Sequence, residues 1–218
     1  MPPDTPCVLA FDTSAAHCAA ALLSDNTVIA ERCEEMAKGQ AERLLPLIED
    51  LLRDNGLAMS DLTALGVGVG PGNFTGIRIS VATARGLAMS LGIPAVGVST
   101  LVANAEGLAT PCLSILDARR DMVYVQLVGT DESPHLLPRS ELPRALRDQA
   151  VATVVGYDAE PIAEALACPA TRPAFPVAVA IARIAARKAG PNLLRPAPLY
   201  LRDPDAAPSS ILPPAMLP

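Results

Sequence analysis

Asp12 and Asp117 are the two side chains whose setting first points to chemistry. Each closes a short apolar run, Cys7 to Phe11 and Cys112 to Leu116, and each is followed by turn-forming residues. Carboxylates at strand ends can hold a magnesium ion and the phosphates it accompanies. The competing role is turn capping, in which the aspartate side chain accepts from its own backbone. With Thr13 beside Asp12, these residues make up the candidate nucleotide or phosphate site, or its vestige.

The second candidate is Gly66-Val67-Gly68-Val69-Gly70-Pro71-Gly72-Asn73-Phe74-Thr75-Gly76-Ile77-Arg78. It reads as a buried strand, a glycine turn and a helix start, where Asn73 or Thr75 caps the first amides. Bare glycines on one strand face let something large pack close above it. A helix N-terminus after a glycine turn also attracts anions. The strict phosphate patterns fail, however. For G-x-G-x-x-G, the third glycine place holds Asn73, Thr75 or Pro71, counting from Gly68, Gly70 or Gly66. A Walker A loop needs Gly-Lys-Ser/Thr, and the only lysines are Lys38 and Lys188. A tight strand-to-helix turn is therefore the preferred reading, with a bound anion the alternative.

Other reactive groups are sparse. His17 and His135 lie far apart with no H-x-x-x-H, and no G-x-S-x-G nucleophile turn occurs. His17 reads as a surface or internally satisfied histidine, and Glu106 as a solvated acid. Cys7, Cys18, Cys33, Cys112 and Cys168 are widely spaced without C-x-x-C, the usage of reduced thiols in a cytosolic protein. No metal site is expected.

The 218 residues carry a net charge of −6, which argues against gripping a nucleic-acid backbone unaided. Half of them are hydrophobic, enough for one large or two small domains with aliphatic cores. No basic region precedes the first apolar run, which points away from a signal peptide. The most apolar long window, Ile77 to Val98, contains Arg78 and Arg85, which argues against a membrane span. A cytoplasmic location is expected.

Three short strands, separated by turn residues such as Ser24-Asp25-Asn26, predict an antiparallel meander. A helix follows over Gln40 to Asp54, with Leu44, Leu45, Leu47, Ile48, Leu51 and Leu52 on one face. Pro46 should kink it or mark its first turn. The glycine-rich strand, a helix over Phe74 to Ser90 and a strand at Ala95 to Val98 complete the order β-β-β-α-β-α-β of a ribonuclease-H-like domain. A third helix, near Ser99 to Ala109, links to a second half. There, strand, Asp117 turn and strand repeat the first half's plan. Pro134, Pro138 and Pro143 mark a loop, followed by a strand at 151–155, a helix at 161–166 and a long helix at 175–189. Residues 191–218 hold eight prolines and read as an extended tail, poorly ordered at its end. The predicted domains are residues 1–103, a smaller lobe at 104–190, and the tail.

The helix over Phe74 to Ser90 is apolar nearly all round, so it needs cover on two sides. Gly76, Ser80, Ala84 and Ala88 form a row at i+4 spacing that lets another helix approach closely. The second cover is either the Gln40 to Asp54 helix or another protein. On the latter reading, arginine at Ser80 or Ala84 would abolish pairing without unfolding the monomer.

Taken with Phe11-Asp12-Thr13-Ser14, Gly97-Val98-Ser99-Thr100-Leu101, Asp117-Ala118-Arg119 and Tyr200-Leu201-Arg202, the block Gly70 to Arg78 resembles the bacterial TsaB family, also called YeaZ, over about residues 7–202. The resemblance implies an α/β, actin-like fold of the sugar-kinase/Hsp70/actin kind, two-lobed with the second lobe reduced. It implies a role in making threonylcarbamoyladenosine beside the tRNA anticodon. In that family the transferase is a paralogue, TsaD, with a metal-binding histidine pair. TsaB is a non-catalytic relative that pairs with it, a small ATPase, TsaE, joins, and another enzyme supplies threonylcarbamoyl-AMP. The contact would use the two long helices, here Leu44, Leu45, Ile48, Gly76, Arg78, Ser80 and Ala84, and the same face can form a homodimer. No intrinsic cofactor is implied. Any ATP or ADP with magnesium would sit at a subunit junction, tRNA would be reached only through the complex, and no membrane is involved. Two departures stand out: Asn73 replaces the family's usual serine, and Gln40 stands near a frequent histidine. The competing readings are a stand-alone actin-fold ATPase or kinase using Asp12 and Asp117, and a glycoprotease-like metallohydrolase.

Overall fold

Alternation along the first strand decides how the molecule is layered. In β1 (Cys7–Asp12) every residue is buried. Cys7, Leu9 and Phe11 face one core, and Val8 and Ala10 face another. Successive side chains of a strand point to opposite faces, so an unbroken apolar run means cover on both sides. The computed structural model describes residues 6–202 apart from residues 148 and 191–192, so the end of the predicted tail lies outside the described residues.

β1 pairs antiparallel with β2 (His17–Ser24), which pairs with β3 (Thr27–Glu35). Asp25 and Asn26 close this hairpin at φ 45° and 63°, the left-handed turn that suits twisted strands. β4 (Ala64–Gly68) adds parallel to β1, and β5 (Ala95–Val98) parallel to β4. The sheet order is β3-β2-β1-β4-β5. One face carries α1 (Gln40–Asp54) and α2 (Phe74–Leu91). The α1 helix runs through Pro46, which sits on its exposed side. Arg43 ties α1 to β3 by a two-pronged bond to Glu34, at 2.7 and 2.6 Å.

α3 (Thr100–Ala105) leads to the second sheet, built from β6 (Cys112–Asp117), β7 (Met122–Val128), β8 (His135–Pro138), β9 (Thr153–Gly156) and β10 (Ala170–Thr171), in order β10-β9-β6-β7-β8. As in the first lobe, its leading strand pairs antiparallel with the next strand and parallel with a later one. Two short helices, α4 (Leu142–Ala145) and α5 (Ala159–Ala165), cover it.

Three expectations change. The proline-marked loop contains an edge strand, β8, because an edge strand tolerates residues that cannot donate to a ladder. The second lobe does not keep residues 104–190 to itself. The last helix, α6 (Val177–Lys188), returns to the first lobe, where Ile181, Ile184 and Ala185 pack against Val8, Ala10 and Val96. Gly66 permits this, since a Cβ there would stand 2.9 Å from the Ala185 Cβ. Glu106 is also not a solvated acid. It receives both arms of Arg187, at 2.8 and 2.7 Å, fastening α3 to α6.

Beyond α6, residues 193–202 form a strap along α2 and across to the second lobe. Leu199 N–H donates to the Val69 carbonyl at 2.8 Å, and Arg85 Nε to the Pro196 carbonyl at 2.7 Å. Leu201 packs on Leu101, Ala118 and Tyr124, and Arg202 donates to the Ala118 carbonyl at 3.0 Å.

Candidate functional site

Strand β1 delivers Asp12 to a turn that is sealed from water. Asp12 and Thr13 have no exposed surface, and Ser14 has 3%. Asp12 Oδ2 accepts from Ser14 N–H at 3.1 Å and from the Ser14 hydroxyl at 2.9 Å, with His17 Nε2 at 2.7 Å. Its other oxygen, Oδ1, is buried without a hydrogen-bond partner among the described residues. Oδ1 lies directly over Gly68, where a Cβ would stand only 1.8 Å away. Glycine in β4 is thus required by a neighbour's carboxylate, not by a ligand.

The next residue is clipped to α2. Thr13 N–H donates to Ser80 Oγ at 2.9 Å, and its hydroxyl donates to the Gly76 carbonyl at 2.7 Å while lying 2.6 Å from the Ser80 hydroxyl. Gly76 allows this approach, since a Cβ there would stand 1.8 Å from the Thr13 carbonyl oxygen. The start of α2 is capped from within the chain. Asn73 Oδ1 accepts from Gly76 N–H at 3.0 Å, and Asn73 N–H donates to the Ser14 carbonyl at 2.6 Å. Two amides at this helix start, those of Asn73 and Gly76, are thus engaged by the chain itself.

Asp117 takes the other role open to such an aspartate. It is exposed, and its Oδ1 accepts from Arg119 N–H at 2.8 Å, a turn cap. Among the described residues no hydrogen bond joins it to Asp12 or Thr13. A magnesium nucleotide does not fit the Asp12 turn within this chain, because that carboxylate has no exposed surface and the turn is closed under α2. Among the described residues no group of three or more histidine, cysteine or acidic side chains is placed to hold a metal ion. The thiols of Cys18 and Cys112 are each pushed up to about 11, chiefly by burial and, for Cys18, also by Glu34, so they are packing groups. No helix among the described residues is long and apolar enough to cross a membrane.

The predicted interface residues separate into two sets. Leu44, Ile48, Gly76, Ser80 and Ala84 are buried inside the protomer, so they cannot meet a partner. The small row on α2 does allow close approach, but to the Thr13 turn and the sheet rather than to a foreign helix. Leu45 is 44% exposed and Arg78 is open to solvent. Arg78 stacks 3.8 Å above the Phe74 ring and donates to the Tyr200 hydroxyl at 3.0 Å, while Phe74 and Tyr200 stack at 4.9 Å. The outward face of α2 includes Thr75, Arg78, Ala82, Arg85, Gly86 and Met89. The His17–Asp12 contact and the Phe74–Tyr200 stack had no sequence signal beyond residue type, because each pair meets only through tertiary packing.

Residues 28–132 match the family described as TsaD, tRNA N6-adenosine threonylcarbamoyltransferase. An uncharacterized protein of Mycobacterium tuberculosis is 33% identical over 213 residues, covering 94% of this chain and 95% of its own. The tRNA threonylcarbamoyladenosine biosynthesis protein TsaB of Escherichia coli strain K12 is 40% identical over 131 residues, 58% of this chain and 56% of that one. The solved structure of YeaZ from Pseudomonas aeruginosa superposes with a TM-score of 0.69 at 28% identity, covering 90% of this chain and all of that one. The chain belongs to the TsaB (YeaZ) family. Its match to the Escherichia coli TsaB spans about half of that relative's length. The ethanolamine utilization protein EutJ of Carboxydothermus hydrogenoformans, at a TM-score of 0.51 and 14% identity, shares the actin-like fold with this TsaB relative.

Proposed function

We propose that this chain is a non-catalytic subunit in the synthesis of threonylcarbamoyladenosine in tRNA, acting by pairing with a TsaD-like transferase and making it competent. The names of the TsaB relatives and the match to the TsaD family support the pathway. The observation that carries the non-catalytic part is the sealed Asp12–Ser14 turn, whose donors are all engaged by the chain itself. An actin-like protein that hydrolysed a nucleotide alone would need that turn open.

The pairing surface is the outward face of α1 and α2, with Leu45, Thr75, Ala82, Gly86 and Met89, in place of the buried residues expected from the sequence. The same face serves self-association. A TsaE-like ATPase joins the pair, tRNA is reached only through the complex, and ATP or ADP with magnesium sits at a subunit junction. The assembly works in the cytoplasm.

Gel filtration of the chain with its TsaD-like partner from the same cell tests the pairing. The wild type co-elutes, and Ala82→Arg elutes alone with an unchanged circular dichroism melt. Pairing that survives both Ala82→Arg and Leu45→Arg refutes the surface. Magnesium-dependent ATP turnover by the purified chain, lost in Asp12→Asn, refutes the non-catalytic role.

A further inference from the structure

A groove of about 660 Å³ opens where the C-terminal half of α2, the turn into β5 and the start of the strap meet. Ala88, Ile93, Pro94 and Ala95 form one side and Leu193, Leu194 and Pro196 the other. The walls are set before anything binds. Gly92 N–H and Ile93 N–H both donate to the Ala88 carbonyl, fixing the end of α2. Arg85 Nε holds the Pro196 carbonyl at 2.7 Å, fixing the strap. A preformed apolar groove binds without paying to order its walls.

Two observations say what belongs in it. The rim exposes large apolar side chains that the fold leaves uncovered: Met89 at 82%, Leu194 at 91% and Leu193 at 39%. Among the described residues, the ionisable ones that line it are Arg85 and Arg195, although the chain as a whole carries a net charge of −6. Arg195 has no hydrogen bond or ion pair among the described residues and is exposed. We propose that this groove recognises a short apolar segment of a partner protein, with two large aliphatic side chains seated in the groove and aspartate or glutamate beside them. The volume falls within the roughly 300–1,000 Å³ of pockets that enclose compact ligands. Carboxylates flanking the anchor meet Arg85 and Arg195, and a lysine-flanked segment is repelled by them. Gly86 and Met89 are shared with the proposed pairing face, but the test uses this chain and synthetic peptides only, so its failure is distinguishable from a failure to pair with the TsaD-like partner.

The test uses the full chain and a fluorescein-labelled synthetic peptide with two leucines between aspartate pairs. A control peptide carries lysine in place of each aspartate. Fluorescence anisotropy gives affinity, and methyl NMR of Met89 reports the place of binding. The aspartate peptide binds saturably and shifts the Met89 methyl, and the lysine peptide binds about tenfold more weakly or not at all. Arg195→Glu weakens the aspartate peptide by about tenfold, with an unchanged circular dichroism melt as the folding control. Gly86→Leu, built where a Cβ meets nothing within 4 Å, fills the groove edge and weakens binding without unfolding. An unmoved Met89 methyl, equal affinity for the two peptides, or an Arg195→Glu variant that binds as wild type overturns the proposal. Binding that emerges only after removal of residues 203–218 overturns it too, because the chain's own end would then be the occupant.

Discussion

Two glycines of α2 carry opposite consequences for stability. Alanine at Gly76 puts a Cβ 1.8 Å from the Thr13 carbonyl oxygen and 2.9 Å from its carbon. Either the β1 turn or the helix start must then move by at least about 1.2 Å to reach even 3.0 Å. Neither is loose. Shifting them breaks the Thr13 bonds to the Gly76 carbonyl at 2.7 Å and to Ser80 at 2.9 Å. Overpacking costs about 1–3 kcal/mol, and each buried group left unpaired about 1–3 kcal/mol. The helix gains back at most about 1 kcal/mol from alanine. A net loss of at least about 2 kcal/mol follows, which for a chain of this size lowers Tm by at least roughly 4–8 °C. Alanine at Gly86 meets nothing within 4 Å. It keeps the gain of about 0.8–1 kcal/mol and raises Tm by roughly 2–4 °C. Calorimetric melts of both variants beside the wild type measure this directly. A Gly76→Ala protein that melts with the wild type, or two variants shifted in the same direction, would refute the claim that α2 is seated on the Thr13 turn.

Ser80→Ala leaves the buried Thr13 N–H without its acceptor and lowers stability by about 1–3 kcal/mol in urea unfolding. Ala84→Arg buries an unpaired charge at a position with no exposed surface, so it yields insoluble protein rather than a folded chain that merely fails to pair; soluble native-like Ala84→Arg contradicts this. The two-pronged bond from Arg43 holds the Glu34 carboxyl below its ordinary value. A depressed carboxylate stabilises above its unfolded pKa and loses that contribution as pH falls through the folded one, so Glu34→Gln makes the acid limb of a Tm-against-pH curve shallower. Leu201→Asp detaches the strap from Leu101 and Tyr124, and hydrogen exchange at the Leu199 amide, now bonded to Val69, accelerates by about tenfold.

Local pattern carried much of the fold. The leucine spacing in α1 places both its ends where the structure has them, Gln40 and Asp54, because one apolar stripe over fifteen residues admits only a helix. The meander, the strands β4 and β5, and the strand-turn-strand repeat at Asp117 follow from short apolar runs bounded by turn residues. What pattern could not supply was the identity of the neighbour across each contact. Ala180, Ile181 and Ile184 announce a buried helix face, yet nothing in residues 177–188 says that the face belongs to the first sheet. The edge strand at 135–138 was hidden by its prolines. The row Gly76, Ser80, Ala84 announced close packing, but small residues serve a sheet's own turn as well as a foreign helix.

The same ambiguity governs the two aspartates. Asp12 and Asp117 each end a strand before a turn, and on local grounds they deserved one reading. Their environments pull them apart: one has no exposed surface and accepts three contacts on a single oxygen, while the other stands in water capping Arg119 N–H. A carboxylate that must reach a solvent-borne phosphate needs the second kind of exposure together with the first kind of rigidity, and neither residue has both. The glycines that invite a phosphate reading are explained without one, Gly68 by the Asp12 carboxylate above it and Gly76 by the Thr13 carbonyl against it. Once each bare Cα has a named occupant inside the chain, the glycine-rich segment stops pointing to a bound anion. The surface left to do work is then the outer face of the helix that this packing holds in place.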